Sequence, residues 1–322
     1  MGKLAITGGK ALRKTPFTRW PIPTKAEASA LKNVLESTLW GGQPFPGKHA
    51  AAFAAKFAKL HTAKYGQCVN TGTVAIQAAL KAIGIKPGDE VIVPAYTWEG
   101  TVGPVLLVNA VPVFVDVDPD TYCLDAKLIE KAITPKTKAI LPVHLGMRFA
   151  DMDEILRVAA KHKLKVVEDC AHAHGGEFQA AVLGAQLERM PKQSAIREKN
   201  MKRFEARLQK TEGIGLLKPD PRITRLAPYG YVIKYFAEKV KEIPRAAFVA
   251  AMQLEGVHCD GLFYEPVYKS SLFPVDATDF PALSWGREKA LDLRSMYSCP
   301  ESEKAAYQEA VWFPHQHFLW RW

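Results

Sequence analysis

The chain has 322 residues, 48% of them hydrophobic, and carries a formal charge of +10. That content suffices to bury a sizeable core in one large or two modest domains. Its five cysteines have neither disulfide-framework nor zinc spacing, and no apolar run is long enough to span a membrane, so a reducing cytoplasm is the expected home.

The first helix signals stand at residues 24–38, with Thr24 as N-cap and Glu27 three positions later. A second helix is expected over Lys48 to Leu60, with Phe53, Phe57 and Leu60 on one face. Gln67 to Asn70 reads as a short strand, which Thr71-Gly72-Thr73 turns into a helix from Val74 to Ala82. Strand Glu90 to Pro94, a helix around Thr101 to Asn109 and strand Val111 to Val115 follow. Next come a short helix from Asp125 to Ala132, strand Lys138 to Val143, helix Met152 to His162 and strand Leu164 to Val167. Such alternation predicts an α/β fold with a doubly wound, mostly parallel sheet.

After Gly176 the rhythm changes. Phe178 to Gln209 reads as helix, broken or kinked at Pro191. Its dense basic residues, Arg189 to Lys210, are interrupted by Glu198 and Glu205, while Ile196, Met201, Phe204 and Leu208 recur at helical spacing. That pattern is the solvated face of an amphipathic helix rather than a nucleic-acid groove. Tyr229 to Phe236 is strand-like, Arg245 to Glu255 helical, and Val257 onward strand followed by loop. The expected division is a large α/β domain over residues 1–190 and, over 191–322, a connecting helix with a smaller α+β domain.

Candidate site residues lie where strands end, the edge at which open α/β sheets bind ligands. Asn70-Thr71-Gly72-Thr73 opens a helix, and its N–H groups and hydroxyls suit a phosphate; capping alone would also explain them. Trp98 follows a strand, placed either to stack on a flat ring or to plug an interface. Asp169, with His172, follows Leu164 to Val167. An acid there can hold a pyridinium nitrogen protonated, though it also suits a turn. A metal reading of His172 and His174 lacks a third ligand at sensible spacing. Segments 264–269 and 312–317 have the aromatic-proline texture of pocket-walling loops.

In order and spacing, the phosphate turn, Pro94-Ala95-Tyr96-Thr97-Trp98, Asp116 to Pro119, Pro142-Val143-His144 and Glu168-Asp169-Cys170-Ala171-His172 resemble the DegT/DnrJ/EryC1/StrS family. The resemblance covers about Gly8 to His317. It implies a fold-type I aminotransferase that uses pyridoxal 5'-phosphate to convert a nucleotide-linked keto sugar or keto cyclitol to its amine, with glutamate or glutamine as donor. A 3-amino-5-hydroxybenzoate synthase-type enzyme, or a non-catalytic cofactor- or sugar-binding member, are the alternatives. It further implies that Thr71, Gly72 and Thr73 hold the cofactor phosphate, that Trp98 covers the ring, that Asp169 binds the ring nitrogen and that His172 sits beside it. A homodimer with active sites at the interface is also implied, with neither nucleic acid nor membrane as partner.

The chain departs from the family after Gly176. A further strand and a Ser-Phe-x-x-x-Lys motif are expected there, and the catalytic, Schiff-base lysine is missing with them. Lys192 lies at about the right distance from Asp169 but inside the amphipathic helix, where a surface lysine is expected. Excising strands from such a sheet would bare edges and apolar faces, which argues for an intervening segment; an intact mass equal to 35.6 kDa would rule it out. A terminal helix is also expected where the chain ends, at Trp322.

Overall fold

The computed structural model describes residues 3–40, 46–170, 177–223, 229–273 and 276–319, with the backbone alone over 177–181. Helix α1 (Lys25–Ser37) starts at a capping box: the Thr24 side chain accepts from the first turn, and Glu27 accepts from the Thr24 N–H at 2.9 Å. Helix α2 (Lys48–Leu60) has the expected bounds. Helix α3 (Gly72–Ala82) begins two residues early, because the Thr71 hydroxyl accepts from the Val74 N–H at 3.1 Å and caps it.

A parallel sheet follows, built from β1 (Glu90–Pro94), β2 (Val111–Val115), β3 (Thr137–Ile140) and β4 (Lys165–Val166), in the order β2-β1-β3-β4. Helices α4 (Glu99–Leu107), α5 (Ala126–Ala132) and α6 (Met152–His162) alternate with its strands. The whole of β1 is buried, as expected for a central strand covered on both faces.

At one margin the sheet is thin. β4 keeps only two ladder residues, Lys165 opposite Ala139 and Val166 opposite Ile140, and pairs with no strand but β3 among the described residues. An isolated parallel bridge from Val143 to Asp169 continues that alignment to the site. Lys165 and Glu168 are exposed, and Val166 and Val167 are half-buried. The run Leu164 to Val167, apolar enough for an interior strand, thus forms a rim.

Helix α7 (Glu177–Leu208) is not broken at Pro191, which lies inside it. It lies against α1 and α2. Beyond it an antiparallel sheet joins β5 (Ile214–Leu216), β6 (Gly230–Tyr235) and β7 (Ala310–Pro314), in that order, with helix α8 (Arg245–Leu254) nearby. The main apolar core joins both sheets: Val91, Ile92 and Leu141 belong to one cluster with Val232 and Trp312.

Several expectations fail. Gln67 to Asn70 is not a strand, because nothing described pairs with it, and a strand needs a ladder. After Val257 only an isolated bridge forms, from Asp260 to Trp312. The 312–314 stretch is not loop but part of β7, held by pairing with β6.

Candidate active site

A cavity of about 780 Å³ opens at the carboxyl edge of the parallel sheet. Thr71, Gly72, Thr73, Trp98 and Asp169, picked out separately along the chain, all line it. His172 lies outside the described residues.

The phosphate side is the N-terminus of α3. The Thr71 side chain serves Val74, so the N–H groups of Gly72 and Thr73 in the first turn are left without intrahelical partners. Such a terminus favours an anion. Gly100 draws this corner together: a Cβ there would stand 2.6 Å from the Trp98 Nε1 and 3.3 Å from the Thr73 hydroxyl.

In the same lining the Asp169 carboxylate is buried at 8% exposure, and its Oδ2 accepts from the Thr101 hydroxyl at 2.7 Å. Thr97 supports Thr101, with the hydroxyls 3.1 Å apart. The backbone fixes the acid too: the Asp169 N–H donates to the Pro142 carbonyl at 2.9 Å. Trp98 is half exposed at 52%, so an indole face is free for a flat ligand. Tyr264, tilted toward it at 6.4 Å between centroids, forms part of the wall with Tyr229 and Trp312. Burial raises the pKa of the Tyr264 phenol, which stays a neutral donor.

His144 also lines the cavity, its Nε2 3.0 Å from a Glu168 carboxylate oxygen. Burial acts to lower its pKa, while the hydrogen bonds and charge of Cys170 and Glu168 act to raise it. The Ala150 N–H opposes them: it points at Nδ1 from 3.2 Å and needs a lone pair that a protonated ring lacks. That amide is fixed by the backbone, whereas Glu168 and Cys170 are exposed and can turn, so we take the neutral ring with its proton on Nε2. This hydrogen bond lowers the Glu168 pKa. Donor atoms of His144, Glu168 and Cys170 lie within 4.8 Å of one another, yet this tautomer offers a metal no lone pair at Nε2.

The cavity therefore fits a ring with a basic nitrogen and a phosphate. It does not fit a covalent anchor: every lysine of the chain is among the described residues, and none lines it. Thr101 escaped the sequence reading, although Thr97 and Thr101 stand one helical turn apart just beyond a strand. His144 was noticed only as part of a motif, since the link to Glu168 spans 24 residues.

A model of the DegT/DnrJ/EryC1/StrS aminotransferase family matches residues 24–179 and 176–299. A protein of Streptoalloteichus tenebrarius, provisionally named an L-glutamine:3-amino-2,3-dideoxy-scyllo-inosose aminotransferase, is 34% identical over 97% of this chain and 92% of its own length. Their alignment runs over 388 positions, more than the 322 residues here, so the relative carries residues with no counterpart in this chain. The two family matches meet at residues 176–179, where the sequence departs from the pattern. The L-glutamine:2-deoxy-scyllo-inosose aminotransferase of Streptomyces fradiae is 44% identical over 56% of this chain and 44% of its own length. Among solved structures, 3-amino-5-hydroxybenzoic acid synthase superposes with a TM-score of 0.81 at 25% identity, covering 97% of this chain and 95% of the other.

Proposed function

The chain belongs to the DegT/DnrJ/EryC1/StrS aminotransferase family, and on that premise we propose that it uses pyridoxal 5'-phosphate to aminate a keto cyclitol with L-glutamine as donor. The observation that carries this reading is the buried Asp169, held by Thr101 in the same cavity that the N-terminus of α3 lines. Relatives named for glutamine and inosose substrates support the ketone and the donor. When bound, the cofactor would supply an electron sink and a carrier for the amino group moved from donor to ketone.

The chain's own residues prepare that exchange. Gly72 and Thr73 present N–H groups to the phosphate, with the helix dipole behind them. Asp169 places a negative charge where the ring nitrogen would lie, keeping its proton in place. Thr101 orients that carboxylate from below. Trp98 covers a ring face and excludes water, and His172 would stand beside the ring. We read the active form as a cytoplasmic homodimer with sites at its interface; no described helix is long and apolar enough to cross a membrane.

The test is to supply 2-deoxy-scyllo-inosose, L-glutamine and pyridoxal phosphate and to follow the amine by mass spectrometry. A nucleotide-linked keto sugar and the aminohydroxybenzoate precursor ketone are run in parallel. Amine from the cyclitol above the protein-free blank is expected; none from any ketone would overturn the reading. The lack of a lysine in the cavity favours a second reading, a member that binds cofactor and ketone without turning them over. That reading expects ligand binding with no amine.

A further inference from the structure

The cavity suits a phosphate, a ring face and a ring nitrogen, but none of the lysines, all of them among the described residues, lines it. The lysine to consider is Lys192, because its neighbours Met190, Pro191 and Ser194 all line the cavity. Lys192 itself is exposed and absent from the lining. An α-helix turns about 100° per residue, so Lys192 stands about 200° from Met190, on the far side of α7.

Rotation of the helix would not bring it in. Arg189 of α7 is tied to Glu27, to the Thr24 hydroxyl at 2.9 Å and to the Ile22 carbonyl at 3.1 Å. Further along, Asn200 donates to the Phe318 carbonyl at 2.8 Å. Turning α7 by half a revolution breaks all of these at once.

We infer that this chain holds a pyridoxal-type cofactor without any covalent bond, and accepts its aminated form as readily as the aldehyde. The inference rests on the cofactor reading given above. Its physical ground is that the two forms share the phosphate and the ring nitrogen, which the α3 N-terminus and Asp169 would recognise. They differ at one carbon, where an anchoring lysine would favour the aldehyde and this cavity has none.

The experiment uses the full chain, with its intact mass of 35.6 kDa verified. Protein equilibrated with pyridoxal phosphate is reduced with borohydride, digested and mapped by mass spectrometry. No peptide should carry a stoichiometric pyridoxyl-lysine. Titration with pyridoxamine phosphate and with pyridoxal phosphate, read by tryptophan quenching, should give Kd values within about threefold of each other. Asp169→Asn should weaken both by about tenfold or more, while Lys192→Ala changes neither. A cooperative melt by circular dichroism confirms that each variant is folded, and Thr101→Val gives a milder second probe of the same contact.

A stoichiometric adduct on one lysine, or a preference for the aldehyde of about a hundredfold, would overturn the inference and leave the cofactor reading standing. If neither form binds the folded protein, the cofactor reading itself falls.

Discussion

At the scale of single residues, the site is made by close approaches that a small change would undo. Gly100 lies in the first turn of α4, where alanine is the better helix former by about 1 kcal/mol. The added Cβ would nevertheless drive the Trp98 indole out of its place beside Thr73. Gly100→Ala is therefore expected to weaken cofactor binding without lowering Tm. Equal affinity in a titration of the two proteins would refute that account of the corner. Thr101→Val removes the hydroxyl that donates to Asp169 and so takes one hydrogen bond from a buried carboxylate. Hydrogen bonds to charged groups contribute about 1.5–3 kcal/mol, and a loss of that order is expected in chemical denaturation. Asp169, Trp98 and Thr71 to Thr73 stood out in the sequence because they follow strand ends or open a helix, and the structure gathers them round one cavity. Thr101 did not stand out: its role depends on Asp169, 68 residues away, and nothing local marks that contact.

At the scale of elements, boundaries were readable wherever a local cause sets them. The bounds of α2 and α6 follow from helical periodicity, and those of β1 and β2 from short apolar runs. Gln67 to Asn70 misled because strand formation is a property of pairs, and β5 escaped because three residues carry no pattern. The contact between α1 and α7 yields a pH prediction. Chiefly through the Arg189 guanidinium, the Glu27 pKa is lowered to about 2. A carboxylate depressed in the folded state contributes stability above its unfolded pKa, about 4.3, and loses that contribution as pH falls toward 2. Arg189→Ala should thus lower Tm at pH 7, and the gap between variant and parent should narrow steadily below pH 4. A gap independent of pH would show that packing, not charge, joins the helices.

At the scale of the whole molecule, the two sheets are locked by buried polar contacts as well as by their common core. Tyr122 donates to Glu309 at 3.0 Å, Trp312 donates to the Tyr96 hydroxyl at 3.2 Å, and Asp116 accepts from the Ser302 N–H at 2.8 Å. Glu309 also faces Lys304 and the nearly buried Lys234. Glu309→Ala would strand Lys234, and removing one partner of a buried pair costs about 3–5 kcal/mol. A denaturation midpoint close to the parent's would rule out that lock. The Tyr122–Glu309, Tyr96–Trp312 and Asp116–Ser302 pairings were not visible in the sequence, because each links segments more than 180 residues apart.

The thin margin at β4 ties colloidal behaviour to chemistry. Asp169 follows β4, which among the described residues is the outermost strand of its sheet and pairs only with β3, the kind of edge on which another strand can add. Whatever seats itself on Asp169 also pins that rim, by mass action on the ordered form. A saturating pyridine-phosphate ligand should then slow concentration-dependent self-association, as followed by light scattering. The acid proposed to bind the ring would then double as the fastening of the sheet's hem.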